Sequence, residues 1–371
     1  MAARPPGLPL EPRRLATGVR RRLHCAARHR LHPLRASVRP GGDRGRGPGG
    51  GPRRHASRTG QRREHRAAGV AFQWSDLVKV GAIDAAASEA RETTPPGPAL
   101  RGGLVPVAIG ITAHAAVARA DGLGRVLARL SASTYLRVAG EIVWLAGAGA
   151  PLHPRAILTV HPPVPEENDV RLESGSPAPW RPAAPALAGV TSANLAERWR
   201  DLSTAPLGTP DGFGVLLAGQ PLAFPLDGAR GAAEALARAC ARGDAAGAGE
   251  AALALLGVGG GLTPSGDDYV GGALFARALL ETAGPGPTAA WRRAAARVVA
   301  AAPGRTHPIS AALLGDLAAG RSWAPLHDLV TALAAGTPRA AEAAARRLVA
   351  LGHSSGWDML AGVGAGLGAF S

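Results

Sequence analysis

The densest chemistry in this chain lies in the stretch Leu256-Gly-Val-Gly-Gly-Gly-Leu-Thr-Pro-Ser-Gly-Asp-Asp-Tyr-Val-Gly-Gly272. Glycines at 257 and 259–261 allow backbone geometry that other residues resist. Thr263 suits an N-cap and Pro264 a first helical position, so a helix is expected to start here. Gly266, Gly271 and Gly272 would each weaken that helix by about 1 kcal/mol relative to Ala, so something is expected to lie close to its backbone. Backbone N–H groups around Gly260, Gly261 and Gly266, the helix dipole, and the hydroxyls of Thr263 and Ser265 together make a site for an anion. Asp267 and Asp268 add a candidate base or ligands for a divalent cation. The ordinary alternative is a capped helix whose first-turn acids complement its dipole. No Gly-Lys-Ser/Thr follows the glycines, so this is not a P-loop. No convincing strand precedes them, so it is not a dinucleotide fingerprint.

Two further helix starts carry similar residues. In Thr306-His307-Pro308-Ile309-Ser310, Pro308 fits the first turn and Thr306 can cap. His307 is there either a proton-transfer group or a capping or surface residue. In Gly352-His353-Ser354-Ser355-Gly356-Trp357-Asp358, Ser355 and Asp358 have capping-box spacing, and His353 stands beside two hydroxyls. If the fold brings Ser265, Ser310 and Ser355 together, three helix N-termini converge on one anion-selective pocket. Preorganised donors there would suit a carboxylate or phosphate and would stabilise developing negative charge. The candidate site is therefore Asp267, Asp268 and His353 in catalytic roles. Gly260, Gly261, Thr263, Ser265, Gly266, Ser310, Ser354 and Ser355 would bind substrate. No metal ligands and no cofactor are assigned; Mg²⁺ on Asp267 or Asp268 is the one candidate.

These motifs must be held by helices. From Asp227 onward Ala and Leu dominate and Arg and Glu recur at helical spacing, which predicts helices over 229–241, 245–256, 264–283, 287–301, 308–320, 324–335, 338–351 and 355–369. Gly and Pro clusters separate them. No repeat of the 20–50-residue kind is detectable. Between Gly102 and Pro225 the pattern is more strand-like. Tyr135–Val138 and Glu141–Leu145 flank Ala139-Gly140 and read as a hairpin. Short strands are expected at 156–160, 170–172 and 213–217, whereas 126–130 alternates too irregularly to be assigned. The expected fold is α+β: a tail and linker over 1–97 (with a short helix or arm at 74–90), a small mostly-β region over 98–226, and a helical domain over 227–371.

Charge and composition bound the rest. The formal net charge is +15, but residues 1–70 hold eighteen of the 42 basic residues and three of the 27 acids, so the remainder is neutral. The body needs no polyanionic partner, and no specific nucleic-acid binding is expected. With only Cys25 and Cys240 there is no disulfide framework and no Cys-based metal site. No long apolar run predicts a transmembrane helix, and a cytoplasmic location is expected. Cys240 reads as a core residue, and Trp144, Trp291 and Trp323 as packing residues. His114, His153, His161 and His327 are isolated, and Glu166, Glu167 and Asp169 read as a solvated acidic loop. The Arg/Pro/Gly-rich first seventy residues cannot bury enough apolar surface to order themselves. They read as a basic tail, as a targeting segment, or, in the reading we favour, as an upstream-extended start in a very GC-rich gene, with the true start near Val70 or Val80. Mass spectrometry of the natural protein is then expected to find no peptide from residues 20–60.

The motifs resemble those of a bacterial family of uncharacterised domains that includes the AllH subunit of oxamate carbamoyltransferase. The matching elements are Gly259–Asp268, the Ile309-Ser310-Ala-Ala-Leu-Leu314 helix and Gly352–Leu360. Gly140–Val160 is similar to the family's early strands, and the likeness covers roughly residues 100–371. His307 stands where a hydroxyl or another small polar residue is expected, so no role is carried over to it. The resemblance implies carbamoyl transfer between phosphate and the amide nitrogen of oxamate in purine (allantoin) catabolism. It also implies a small anionic substrate and other subunits as partners. Two other functions fit the residues. Ser265–Gly272 looks locally like the anion-hole helix of ribokinase-type phosphotransferases, which need a long α/β sheet upstream. A non-catalytic, metabolite-binding subunit is the third.

Overall fold

The computed structural model describes residues 104–160, 168–173, 177–283 and 288–370, all within one compact unit, Arg91–Ser371. The expectations for the tail, the arm at 74–90, His161, Glu166 and Glu167 lie outside the described residues.

The first half forms one six-stranded sheet. Its strands are β1 (Ala108–Ile109), β2 (Leu123–Arg129), β3 (Ser133–Val138), β4 (Glu141–Gly147), β5 (Ala156–Thr159) and β6 (Asp169–Arg171), in the order β1-β5-β4-β3-β2-β6. All pairings are antiparallel except β4 with β5. The expected hairpin is β3–β4. Ala139 and Gly140 both take positive φ, at 47° and 83°, as the tight two-residue turn requires. β2 corrects the sequence reading of 126–130: it is a strand, and the register shift between Val126 and Ala128 breaks the alternation that would have revealed it. Two helices were also not anticipated in this half. They are α1 (Ile111–Arg119), which covers one face of the sheet, and α2 (Ser192–Ser203), held by a Thr191–Asn194 capping box. Residues 213–217 are not a strand. They lie in a 3₁₀ helix, Gly212–Ala218, because the Asp211 side chain caps its start and the Phe213 N–H donates to Asp358 Oδ1 at 2.6 Å.

The helical half follows its sequence pattern closely. Its helices are α3 (Arg230–Ala241), α4 (Ala245–Leu255), α5 (Ser265–Ala283), α6 (Thr288–Ala301), α7 (Pro308–Ala318), α8 (Ala324–Ala335), α9 (Pro338–Val349) and α10 (Ser355–Leu367). Their ends differ from the expected ones by a residue or two, which is the softness of helix termini. Fold class is thus α+β, a mostly antiparallel sheet followed by helices.

Two packing features position the site. First, α5 and α10 cross in close backbone contact. A Cβ on Gly272 would fall 2.3 Å from the Met359 carbonyl oxygen, and one on Gly362 would fall 2.1 Å from that of Tyr269. The glycines cost helix propensity but let the two backbones touch. What lies close to the α5 glycines is therefore another helix. Second, α7 packs on the sheet through Tyr135, Ile142, Ile309 and Leu313. A partly buried ion network fixes that contact: Arg155 Nε donates to Asp316 Oδ2 at 2.5 Å, Arg155 Nη1 to Glu141 Oε2 at 3.0 Å, and Arg321 Nη2 to Asp316 Oδ1 at 2.9 Å. Asp316 is fully buried, so its charge is tolerated only because two guanidinium groups meet it.

Candidate functional site

The three helix starts converge. The Thr263 and Ser355 hydroxyl oxygens are 3.1 Å apart, as are those of Ser265 and Ser354, and Ser310 Oγ donates to Asp267 Oδ2 at 2.6 Å. Local sequence explains how each arrives. The Gly-rich turn takes positive φ at 257, 259 and 261, bringing the chain from α4 back into α5. Gly266 then packs against the Leu255 carbonyl, 2.0 Å from where its Cβ would stand, and its N–H donates to Val258 O at 2.8 Å. That N–H is spent inside the turn. Nothing stands within 4 Å of a Cβ built on Gly260 or Gly261, so this part of the loop faces open space.

Asp267 and Asp268 are adjacent and buried, yet they differ in kind. Asp267 Oδ1 accepts from the Gly257 N–H at 2.8 Å, and its Oδ2 accepts from the Thr306 and Ser310 hydroxyls. Three donors occupy it, and it ties the Gly-rich turn to the start of α7. Asp268 Oδ2, in contrast, is buried with no hydrogen-bond partner. Burial pushes its carboxyl well above the ordinary range, and the nearby Asp358 and Asp267 carboxyls add to this. The Ser355 and Thr263 hydroxyls act in the opposite direction. A buried polar atom left unpaired in a native fold calls for an explanation, and a ligand is one.

Asp268, Thr263 and Ser355 line a cleft of about 510 Å³ whose far wall is the sheet, with Tyr135 and Trp144. Trp323 meets Trp144 edge-on at 4.8 Å and lines the same cleft. Two of the tryptophans read as packing residues thus face the site. His353 stands at this cleft with its side chain 95% exposed, and its Nδ1 lies 2.9 Å from Asp211 Oδ2. A smaller cleft of about 350 Å³ is lined by Gly260, Ser265, Ser354, Asp211 and Gly212. Neither cleft has an Arg or Lys among its lining residues.

Several sequence candidates have other places. Ser310 is buried beneath the site and serves Asp267. His307 is the N-cap of α7, where Nδ1 accepts from the Ile309 N–H at 3.2 Å, and burial lowers its pKa. Thr306, the expected cap, bonds to Asp267 instead. The capping box on α10 is not formed: its N-cap is Ser354, with no side-chain cap bond. Asp358 accepts from Phe213 N–H through Oδ1, and its Oδ2 is buried without a partner. Burial pushes Asp358 up to about 7, against the Phe213 N–H and the Ser354 and Ser265 hydroxyls. His153 and His327 are buried acceptors for the backbone N–H groups of Arg155 and Ser322, and burial lowers them to about 3 and about 4. Cys240 is a core thiol pushed up to about 12 by burial, as its sequence context suggests.

Sequence reasoning missed Tyr135, Asp211 and Asp358. Tyr135 and Asp211 carry no local signal, because their partners are distant in the chain. Asp358 did carry one: Ser355-Gly356-Trp357-Asp358 repeats the pattern of Ser265-Gly266-Asp267-Asp268. For cations, Asp267 has no oxygen left over, and among the described residues no group of three or more His, Cys, Asp or Glu side chains is arranged to hold a metal. Among the described residues no helix is long and apolar enough to cross a membrane.

No curated protein and no solved structure matches this chain. Residues 255–367, which run from the last residue of α4 through α10 and so include all three converging helix starts, match the family model described as oxamate carbamoyltransferase subunit AllH, the family that the motifs themselves resemble.

Proposed function

We propose that the chain is a subunit of a cytoplasmic carbamoyltransferase acting on oxamate or oxalurate and carbamoyl phosphate in purine (allantoin) catabolism. The observation that carries this reading is Asp268: a buried carboxyl with an unpartnered oxygen, set beside the Thr263 and Ser355 hydroxyls in the wall of the larger cleft. In carbamoyl transfer the amide nitrogen bonds to the carbamoyl carbon, the carbon–oxygen bond to phosphate breaks, and the nitrogen gives up a proton. Asp268 Oδ2 would orient that N–H and take the proton, its basicity increased by burial. Thr263 and Ser355 would donate to the oxygens of the bound substrate. His353, oriented by Asp211, would act at the mouth. Gly260, Gly261, Ser265 and Ser354 would complete the binding surface, while Asp267, Ser310 and Gly266 hold the turn in place.

Electrostatics favour a subunit over a self-sufficient enzyme. A phosphate dianion needs countercharge, and no Arg or Lys lines either cleft. The missing cation would come from a partner chain at the mouth. The phosphotransferase reading loses weight, because the upstream sheet is antiparallel but for one pair of strands.

The test is calorimetric titration of the full chain with oxamate, carbamoyl phosphate and ATP, with and without Mg²⁺. Oxamate is expected to bind, and Asp268→Asn to weaken it by roughly 10- to 100-fold, the worth of one charge-assisted hydrogen bond. Unchanged affinity in Asp268→Asn would refute the assignment of Asp268. Binding of ATP alone would favour the phosphotransferase.

A further inference from the structure

Asp268 Oδ2, buried without a partner, has a counterpart on the opposite wall of the larger cleft. Tyr135 lies on β3, is 7% exposed, and lines that cleft. Among the described residues its hydroxyl has no hydrogen-bond partner. A buried tyrosine ordinarily finds one. Packing does not account for the oxygen, because the ring lies against Ile142, Ile309 and Leu313, where phenylalanine would serve as well. Burial pushes the phenol's pKa up, and the charge of Asp268 across the cleft adds to this. Tyr135 therefore stays an O–H donor at neutral pH.

The two groups come from separate halves of the chain, and α7 fixes their spacing. Its Ile309 and Leu313 side chains hold the Tyr135 ring. Its Ser310 hydroxyl holds Asp267, the neighbour of Asp268. The Arg155–Asp316 pair clamps the helix to the sheet. A donor on the sheet wall thus faces an acceptor on the helix wall. Much of the remaining lining is apolar, with Leu130, Trp144, Leu262, Trp323 and Met359, and it has no Arg or Lys. An amide satisfies both groups at once: its carbonyl oxygen accepts from Tyr135 and its N–H donates to Asp268 Oδ2. That N–H also favours the ionised, accepting form of the carboxyl. A carboxylate or phosphate in the same place would bring like charge to Asp268 and no N–H.

We propose that Tyr135 is a further substrate-binding residue of the larger cleft, and that Tyr135 and Asp268 together read the amide group of a primary amide or ureide. The inference deepens the proposed function and rests on its placing of the substrate N–H at Asp268. It adds a direction: the carbonyl points to the sheet and the nitrogen to the helix starts.

The test compares oxamate with pyruvate, in which a methyl group replaces the amide NH₂ while the carbonyl and carboxylate remain. Acetamide is the amide without the carboxylate. Each probe is titrated into the full chain and followed by saturation-transfer NMR, in the wild type, Tyr135→Phe and Asp268→Asn. The wild type is expected to prefer oxamate to pyruvate by about 10-fold or more. Tyr135→Phe is expected to weaken oxamate by roughly 5- to 10-fold, the worth of one neutral hydrogen bond. It keeps the preference over pyruvate, since both probes carry the carbonyl, whereas Asp268→Asn reduces that preference. The phenylalanine ring fills the same place, so an unchanged unfolding temperature separates a binding role from a packing one. Oxamate affinity lowered in Asp268→Asn but unchanged in Tyr135→Phe would overturn the inference and leave the first reading standing. Binding of acetamide but not of oxamate, weakened by both variants, would support the pair and overturn oxamate as the substrate. Equal affinity for oxamate and pyruvate, or no binding of either amide, would overturn both.

Discussion

Asp267→Ala is expected to destabilise the protein by about 3–5 kcal/mol while leaving both clefts without a missing wall. The carboxyl accepts from the Gly257 N–H, the Thr306 hydroxyl and the Ser310 hydroxyl. Removing it orphans all three donors at once. Each buried orphan costs roughly 1–3 kcal/mol, with the hydroxyls at the low end because they can rotate to other acceptors. The Gly257 N–H cannot rotate, since the residue is locked at φ 76° with a Cβ position only 2.2 Å from Arg305 O. A loss of this size lowers the melting temperature by on the order of 10 °C. Asp267→Asn separates shape from acceptor number. One oxygen can still serve Gly257, and the two hydroxyls can turn to accept from the new amide, so its cost is expected to be about 1–2 kcal/mol. Thermal and urea unfolding of the two variants measure both numbers. Equal losses would mean that the hydroxyls are fixed as donors, and no loss in either would remove Asp267 from the scaffold.

Asp358→Asn is expected to act in the opposite sense, through pH. Burial raises the native Asp358 carboxyl to about 7, whereas an unfolded Asp titrates near pH 4, about its ordinary value. Between these values the unfolded chain has released its proton and the native chain keeps it. Because the native state binds more protons in this window, stability falls as pH rises from about 4 to about 7. A shift of this size corresponds to roughly 4 kcal/mol at full extent. Asp268, also raised, adds a fall of the same sign. Asn at 358 mimics the protonated acid: its oxygen can accept from Phe213 N–H and its amide can donate to the Ser354 or Ser265 oxygen. The variant is therefore expected to match the wild type near pH 4 and to become progressively more stable than it up to pH 8. Unfolding free energies at four or five pH values give the difference curve directly. A flat curve would mean that Asp358 is ionised throughout. A wild type less stable than the variant at neutral pH would mean that stability is given up to keep a carboxyl there, the kind of cost that functional sites carry.

How much of this was legible in the sequence follows from the range of the forces involved. The eight helices from Arg230 to Leu367 were readable because apolar periodicity and Gly or Pro breaks act within a few residues of each position. The β3–β4 hairpin was readable for the same reason, its turn being two residues long. β2 was not, because its bulge is defined only by the partner strand. Residues 213–217 were not, because the Phe213 N–H that would have joined a sheet is taken by Asp358, far along the chain. The Ala-rich α1 was overlooked among strand-like neighbours, where propensity alone decides little.

The site divides the same way. Sequence by itself determined the residue types, the three polar helix starts and the glycines that force close approach. It also determined the likeness to the AllH family over the helical half, which the match over residues 255–367 bears out. It could not separate Asp267 from Asp268. These neighbours have identical side chains, and their difference is made by Thr306 and Ser310 on one side and by Ser355 and the cleft on the other. Hydrogen-bond saturation and desolvation depend on groups brought together from distant parts of the chain. Only the tertiary structure therefore decided which carboxyl braces the turn and which keeps a free oxygen.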